Sequence, residues 1–308
     1  IKVGEDMTTN KGANRTFCIT LIIYVAVSLL YSFLTRGKDV SIYVELLLAQ
    51  SSIFLPAFIY IKKSGRKVRE LIPYKRLRLG DIPVLVLITY LFYPMVLVLN
   101  LLTMIFVDNE VAQMTQRMNG DAFFLNLLFF AVLPAGVEEF FFRGMLYQTY
   151  RKSSAKIGMF LSGFLFGCMH LNFNQFLYAF AFGIFLVLIV EATGSIYASM
   201  LCHFILNINS GIAMKIQSVK GSSVSAESAA LLQDKEMLLT AGAGWLVIAM
   251  IGLMGVFGLW VHLAKKHGTL TDIQMRFRQP KGEKFITPSL IIGIILAMII
   301  IVLSGVIS

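Results

Sequence analysis

Long apolar runs, separated by short polar segments, occupy most of this chain. A helix that crosses the hydrocarbon core of a bilayer needs about 20 consecutive, mostly apolar residues. Nine runs approach that length, and their predicted bounds are 17–34, 40–61, 82–107, 122–150, 157–171, 176–191, 195–213, 238–262 and 287–306. The pattern predicts an all-α fold, a polytopic membrane helix bundle with eight or nine transmembrane helices. We expect residues 1–308 to form a single integral membrane domain.

Basic residues concentrate in three of the segments that separate these runs, 62–78, 151–156 and 265–284. Segments rich in lysine and arginine stay on the cytoplasmic side of a membrane. Alternation of the nine runs places all three basic segments on that one side, with the N-terminus cytoplasmic and the C-terminus outside. The expected location is a bacterial cell membrane.

The composition agrees with a membrane protein, because 57% of the residues are hydrophobic and only 14% are charged, against about 25% charged in soluble domains. The net charge of +10 would suggest nucleic acid as a partner of a soluble protein. Here the basic segments favour contact with anionic lipid headgroups instead, and no nucleic-acid partner is expected. Cys18, Cys168 and Cys202 lie in apolar runs without a CxxC pair, which indicates neither a disulfide framework nor a thiolate metal cluster.

The fourth run contains Glu138, Glu139 and Arg143 in an otherwise apolar stretch. Charges inside a bilayer are costly and usually face a cavity or a partner. Glu139 and Arg143 are four residues apart on one helix face, so they are expected to pair and to have a structural role. Glu138 is rotated by about 100° from Glu139 and is left free for chemistry. A buried ion-pair network without a catalytic role would give the same motif.

Two further runs carry polar residues at helical spacing. Phe166 and His170 share a face in the fifth run, and His203 and Asn207 share a face in the seventh. A single imidazole inside a membrane is commonly a packing or hydrogen-bonding residue. At about 1.5 Å per residue from the cytoplasmic helix ends, however, Glu138, His170 and Asn207 all lie about 18–20 Å deep. This common depth predicts that three helices build one site.

The residue types point to hydrolysis of an amide bond. Glu138 with His170 could deprotonate a water molecule, the usual task of a general base. His203 and Asn207 on a facing helix could donate hydrogen bonds to the oxyanion that forms when this water attacks a carbonyl. We expect cleavage of a membrane-associated peptide near the cytoplasmic leaflet.

A glutamate and two histidines could also bind zinc. Around their helices, Cys168 is about 200° from His170 and Cys202 about 100° from His203, so neither cysteine strengthens a metal site. The sequence contains no HExxH, GxSG or GxGD motif of other intramembrane proteases. A site without metal or other cofactor is therefore the favoured interpretation.

In order, the motifs Glu138-Glu139-x-x-x-Arg143, Phe166-x-x-x-His170 and His203-x-x-x-Asn207 resemble the EExxxR, FxxxH and HxxxN motifs of the CPBP family of intramembrane proteases. That family includes the type II CAAX prenyl endopeptidases and the bacterial Abi proteins linked to bacteriocin self-immunity. The resemblance covers residues 122–213. It implies a bundle of about eight helices and a glutamate-activated water, but it does not identify the substrate. The partner that we expect is a membrane-embedded or lipidated peptide or protein.

Two other classes of function stay open on the residues alone. Intramembrane glutamate and histidine also form proton relays, which would suit a proton-coupled transporter. A scaffold or immunity protein without catalysis would need the same residues only for its fold. Nothing in the sequence indicates an oligomeric state.

Overall fold

The computed structural model describes residues 9–38, 40–65, 67–107, 109, 122–278 without 221–234, and 282–307. Within these residues the regular structure is entirely helical, and a single isolated bridge joins Tyr74 to Ser195. The long apolar helices are α1 Asn10–Thr35, α2 Ile42–Lys63, α3 Ile82–Met104, α4 Phe123–Tyr150, α5 Ala155–Met169, α6 Phe173–Thr193, α7 Ile196–Lys220, α8 Lys235–Lys266 and α9 Pro288–Ile307. Short helices at Val68–Leu71, Leu79–Asp81 and Leu270–Arg278 lie in the connections.

Each apolar run predicted from the sequence has a helix in the structure. Seven helices of the described chain are long and apolar enough to cross a membrane, and the apolar helices Ala155–Met169 and Ile196–Asn209 are shorter. The predicted all-α polytopic bundle is therefore confirmed. The segment 108–121, between the third and fourth predicted runs, lies outside the described residues except for Asn109.

Helix α4 contains two π-helical segments. It is α-helical at Phe123–Leu127, Leu133–Glu139 and Tyr147–Tyr150, and π-helical at Leu128–Val132 and Phe140–Leu146. A π-helical turn holds one extra residue, and such turns occur frequently at functional sites. The short α-helical segment between the two π-helical turns carries the paired glutamates.

Helix α6 lies at the centre of the bundle. In its most apolar window 61% of the residues are buried, against 17–39% for the other long spans. It packs against α5 at Gly163 and Gly183, where a Cβ atom on Gly183 would come within 2.7 Å of the Gly163 Cα. Only glycine allows two helix backbones to approach so closely. Because Gly183 has no Cβ atom, the Arg143 side chain of α4 can also approach the backbone of α6 at this position.

Ion pairs join the basic segments at one end of the bundle. Lys266 Nζ lies 2.7 Å from the Asp81 carboxylate, so the end of α8 meets the start of α3. The buried Glu191 carboxylate pairs with Arg151 at 3.0 Å and with Arg276 at 3.1 Å. We call this the basic end; its described residues are 62–65, 67–81, 151–156, 264–278 and 282–285. The opposite end, where α1 and α3 finish and α2, α4 and α6 begin, is the charge-poor end.

Candidate active site

The pair of Glu139 and Arg143 is the most deeply buried charged group of the site. Their side chains are 0% exposed, and Arg143 Nη1 lies 2.7 Å from Glu139 Oε1, as the four-residue spacing predicted. Arg143 also donates from Nη2 to the Gly183 carbonyl oxygen at 3.2 Å. Its guanidinium lies 4.3 Å from the centre of the Phe166 ring. The arginine thus holds the α4 carboxylate against both α5 and α6.

His203 joins the two glutamates. Its Nδ1 lies 2.9 Å from Glu139 Oε1, and its Nε2 lies 3.9 Å from Glu138 Oε2. Because an ionised carboxylate can only accept a hydrogen bond, Nδ1 is the donor toward Glu139. The ring makes T-shaped contacts with Phe166 and Phe182, with centroids 5.7 and 5.6 Å away. The sequence predicted a face for His203, but not this position between the carboxylates.

His170 lies at the very end of α5 and not inside a long span. The helix finishes at Met169, and Leu171 adopts a left-handed conformation with φ of 52° that turns the chain toward α6. His170 Nδ1 donates to the Phe166 carbonyl oxygen at 2.8 Å, which leaves Nε2 without a proton in the neutral ring. The Phe166 ring packs edge-on against this imidazole as well, at 4.9 Å between centroids.

Glu138 remains accessible where Glu139 is not, because 13% of its side chain is exposed. Its Oε1 accepts a hydrogen bond of 2.8 Å from Gln50 Nε2 on α2. Gln50 Oε1 is buried and has no hydrogen-bond partner in the described structure. Sequence reasoning missed Gln50, although a carboxamide in the middle of an apolar run was a signal that could have identified it.

A single cavity of about 450 Å³ brings the predicted residues together. Its walls include Glu138, His170, His203 and Asn207, together with Phe166, which separates the two imidazoles. Helices α4, α5 and α7 therefore meet at one polar site inside an apolar bundle, as the depth argument predicted. Helices α1, α2, α3 and α6 complete the walls.

The donor set does not form a metal site of the usual kind. Among the described residues there is no group of three histidine, cysteine, aspartate or glutamate side chains that could hold a metal ion. The three cysteines are free and buried. The arrangement does offer one accessible carboxylate, an imidazole with an unprotonated nitrogen and a carboxamide around a shared space. These are the groups that water activation and oxyanion binding require.

Residues 120–209 match the model of the family described as type II CAAX prenyl endopeptidase Rce1-like. The match spans the three motifs and the helices that carry them, and it confirms the resemblance stated from those motifs. No curated protein and no solved structure matches the chain. The matched family and the apolar helices show an integral membrane protein related to proteases.

Proposed function

We propose that this chain is an intramembrane peptidase in which Glu138 activates a water molecule for attack on a peptide bond. The observation that carries the proposal is the accessible Glu138 carboxylate, which shares a cavity with His170, His203 and Asn207. A cavity of about 450 Å³ falls in the size range of ligand sites, about 300–1,000 Å³. It has room for a short stretch of peptide beside the water.

Glu138 takes a proton from the water, and the resulting hydroxide attacks the carbonyl carbon. His170 accepts a hydrogen bond at Nε2 and orients the same water. When the tetrahedral intermediate collapses, the C–N bond breaks and Glu138 returns the proton to the leaving nitrogen. The Gln50 hydrogen bond fixes the carboxylate for both steps.

The oxyanion receives hydrogen bonds from Asn207 and His203. The Nδ1 proton of His203 is engaged by Glu139, so its Nε2 can donate only when the ring carries both protons.

The test compares peptide cleavage by purified wild-type protein with cleavage by Glu138→Gln and His170→Ala. Loss of a general base lowers the rate about 10²–10⁴-fold, and Glu138→Gln keeps the shape of the side chain and the Gln50 contact. Glu70→Gln at the basic end is the matched control and is expected to retain full activity. Turnover at the wild-type rate in Glu138→Gln would exclude the mechanism.

Substrates can be found by comparing membrane peptides from cells that express the wild type or Glu138→Gln. Peptides that accumulate uncut in the variant are candidates. The same pair of strains separates the peptidase from a proton-coupled transporter, which would show pH-driven flux in proteoliposomes and no difference in cleaved peptides. A scaffold without catalysis would keep its phenotype in Glu138→Gln.

A further inference from the structure

The two ends of the bundle differ sharply in charge. The basic end contains most of the lysine and arginine residues of the chain, in 62–78, 151–156 and 265–284. Between the predicted runs on the other side, the sequence has only six lysine and arginine residues: Arg36, Lys38, Arg117, Lys215, Lys220 and Lys235. Lysine and arginine in short connections are retained in the cytoplasm. The charge distribution therefore places the charge-poor end on the extracytoplasmic side.

The cavity lies between Glu138 and that charge-poor end. Leu97 and Asn100 line it from the last turns of α3, and Leu46 and Gln175 line it from the first turns of α2 and α6. All four positions are at the charge-poor end of their helices. Among the described residues, no lining side chain lies in the first or last turn of a helix at the basic end.

Between the two glutamates and the basic end, buried side chains fill the interior of the bundle. The part of α4 that runs from the glutamates to that end carries a series of side chains with 0% exposure: Phe141, Phe142, Arg143, Leu146, Tyr147 and Tyr150. Tyr150 donates a hydrogen bond of 2.7 Å to Asn14 Oδ1, and Asn10 Nδ2 donates to Ser153 Oγ at 3.0 Å. The start of α1 is thereby fixed across the end of α4. A separate cavity of about 350 Å³ at the basic end is lined by Met145 and Gln148, and Glu138 is not among its lining residues.

The walls of the cavity suit an extended peptide better than a hydrocarbon chain. They contain carboxamide and phenol groups in addition to the apolar residues: Gln50, Asn100, Gln175, Asn207, Tyr24, Tyr93 and Tyr178. Backbone N–H and C=O groups that leave water need hydrogen-bond partners, which such side chains supply. The buried Gln50 Oε1 has no partner and is available to a backbone N–H beside Glu138. An alkyl or isoprenoid chain would offer no hydrogen-bond partner to the buried Gln50 Oε1.

We propose that the cavity is entered from the extracytoplasmic side and takes an extended peptide segment presented there. The expectation of cleavage near the cytoplasmic leaflet does not fit the position of the cavity. The identity of the occupant rests on the proposed peptidase function, whereas the side of access rests on the cavity and the charge distribution alone. The side of access and the identity of the occupant can therefore be refuted separately.

The side of access is measured with a membrane-impermeant maleimide on single cysteine variants. Leu97→Cys and Gln175→Cys report on the cavity, and Arg36→Cys and Arg69→Cys report on the charge-poor and basic ends. The unsubstituted chain is the unlabelled control, because its own cysteines are buried. We expect the cavity variants to react in spheroplasts together with Arg36→Cys, while Arg69→Cys reacts only in inverted vesicles.

Reaction of both cavity variants only in inverted vesicles, or from neither side, would overturn the side of access. Reaction of Arg36→Cys only in inverted vesicles would overturn the orientation and with it the proposal.

The occupant is tested with unstructured quenched-fluorescence peptides, which are supplied on one side of proteoliposomes. Labelling of Arg36→Cys establishes the orientation of the protein in these proteoliposomes. Cleavage from the charge-poor side by the wild type, and not by Glu138→Gln, supports the peptide occupant. Cleavage only from the basic side contradicts it. Absence of cleavage from both sides, with the labelling as expected, refutes the peptidase function and leaves the side of access standing.

Discussion

Replacing Arg143 with methionine tests whether burial makes the charge pair of α4 indispensable. The substitution keeps an unbranched side chain but removes the guanidinium, and it leaves Glu139 with His203 as its remaining charged partner. Removing one member of a buried ion pair costs about 3–5 kcal/mol, because the other charge stays buried without compensation. Both side chains here are 0% exposed. Because His203 Nδ1 stays 2.9 Å from Glu139, we expect Arg143→Met to lose about 3 kcal/mol, the lower end of this range, or about two orders of magnitude in the unfolding equilibrium.

The chain offers a matched control in Lys266→Met. Lys266 and Asp81 are separated by the same 2.7 Å as Arg143 and Glu139, and both carboxylates are 0% exposed, but the Lys266 side chain is 34% exposed whereas that of Arg143 is 0% exposed. Asp81 also keeps a second partner, His267 Nε2 at 2.8 Å. Ion pairs that reach water are worth about 0–1 kcal/mol. The two pairs therefore differ in burial and not in length.

The assay is denaturant unfolding of the detergent-solubilised protein, followed by tryptophan fluorescence. Trp260 is a suitable probe because its indole donates a hydrogen bond of 2.8 Å to the Leu188 carbonyl oxygen, joining α8 to α6. We expect a large loss of stability for Arg143→Met and a small one for Lys266→Met. Equal losses in the two variants would refute the argument that burial decides the cost.

Three further predictions concern the Gln50 hydrogen bond, the packing of Gly252 and the absence of a required metal. Gln50→Ala removes one hydrogen bond from the catalytic carboxylate and should lower kcat about tenfold, whereas Gln148→Ala, which loses its bonds at the basic end, should leave steady-state kinetics unchanged. Gly252→Ala should destabilise the protein by about 1–3 kcal/mol in thermal unfolding, because the new Cβ would overlap the Leu91 carbonyl oxygen. Gly258→Ala on the same helix meets nothing within 4 Å and should be neutral or slightly stabilising, so a loss as large as that of Gly252→Ala would contradict the packing argument. Peptide cleavage should continue in excess EDTA after dialysis, with elemental analysis of the same sample as the check for bound zinc.

The apolar runs were sufficient to predict the helices, because each lipid-facing span must be apolar along its whole length. The spacing of Glu139 and Arg143 likewise predicted their pairing, since contacts between residues four apart depend only on the helix itself. The prediction that three helices meet at one level also followed from counting residues. Local geometry of this kind can be worked out without knowing which helices are neighbours.

Contacts between helices could not be predicted in the same way. Helical phase gave a face for His203, and Gln50 was missed, because the partner of a face depends on how the whole bundle packs. The π-helical turn at Phe140–Leu146 also rotates one part of α4 relative to the other, which a regular helical projection does not include. His170 was placed inside a span because Leu171 gives no sequence signal for its left-handed turn.

The buried cluster of Glu139, Arg143 and His203 has two roles: it orients the site, and it fills the interior of the bundle between the site and the basic end. Replacing a buried ion pair by apolar residues of similar volume is often neutral or stabilising. We therefore expect Glu139→Leu combined with Arg143→Met to recover most of the stability that Arg143→Met loses. Cleavage should not recover, because His203 Nδ1 would then lack the carboxylate that orients it at 2.9 Å. Unfolding and kcat measured on the same preparations separate the two roles. A double variant that regains both stability and kcat would show that Glu139 serves the fold alone.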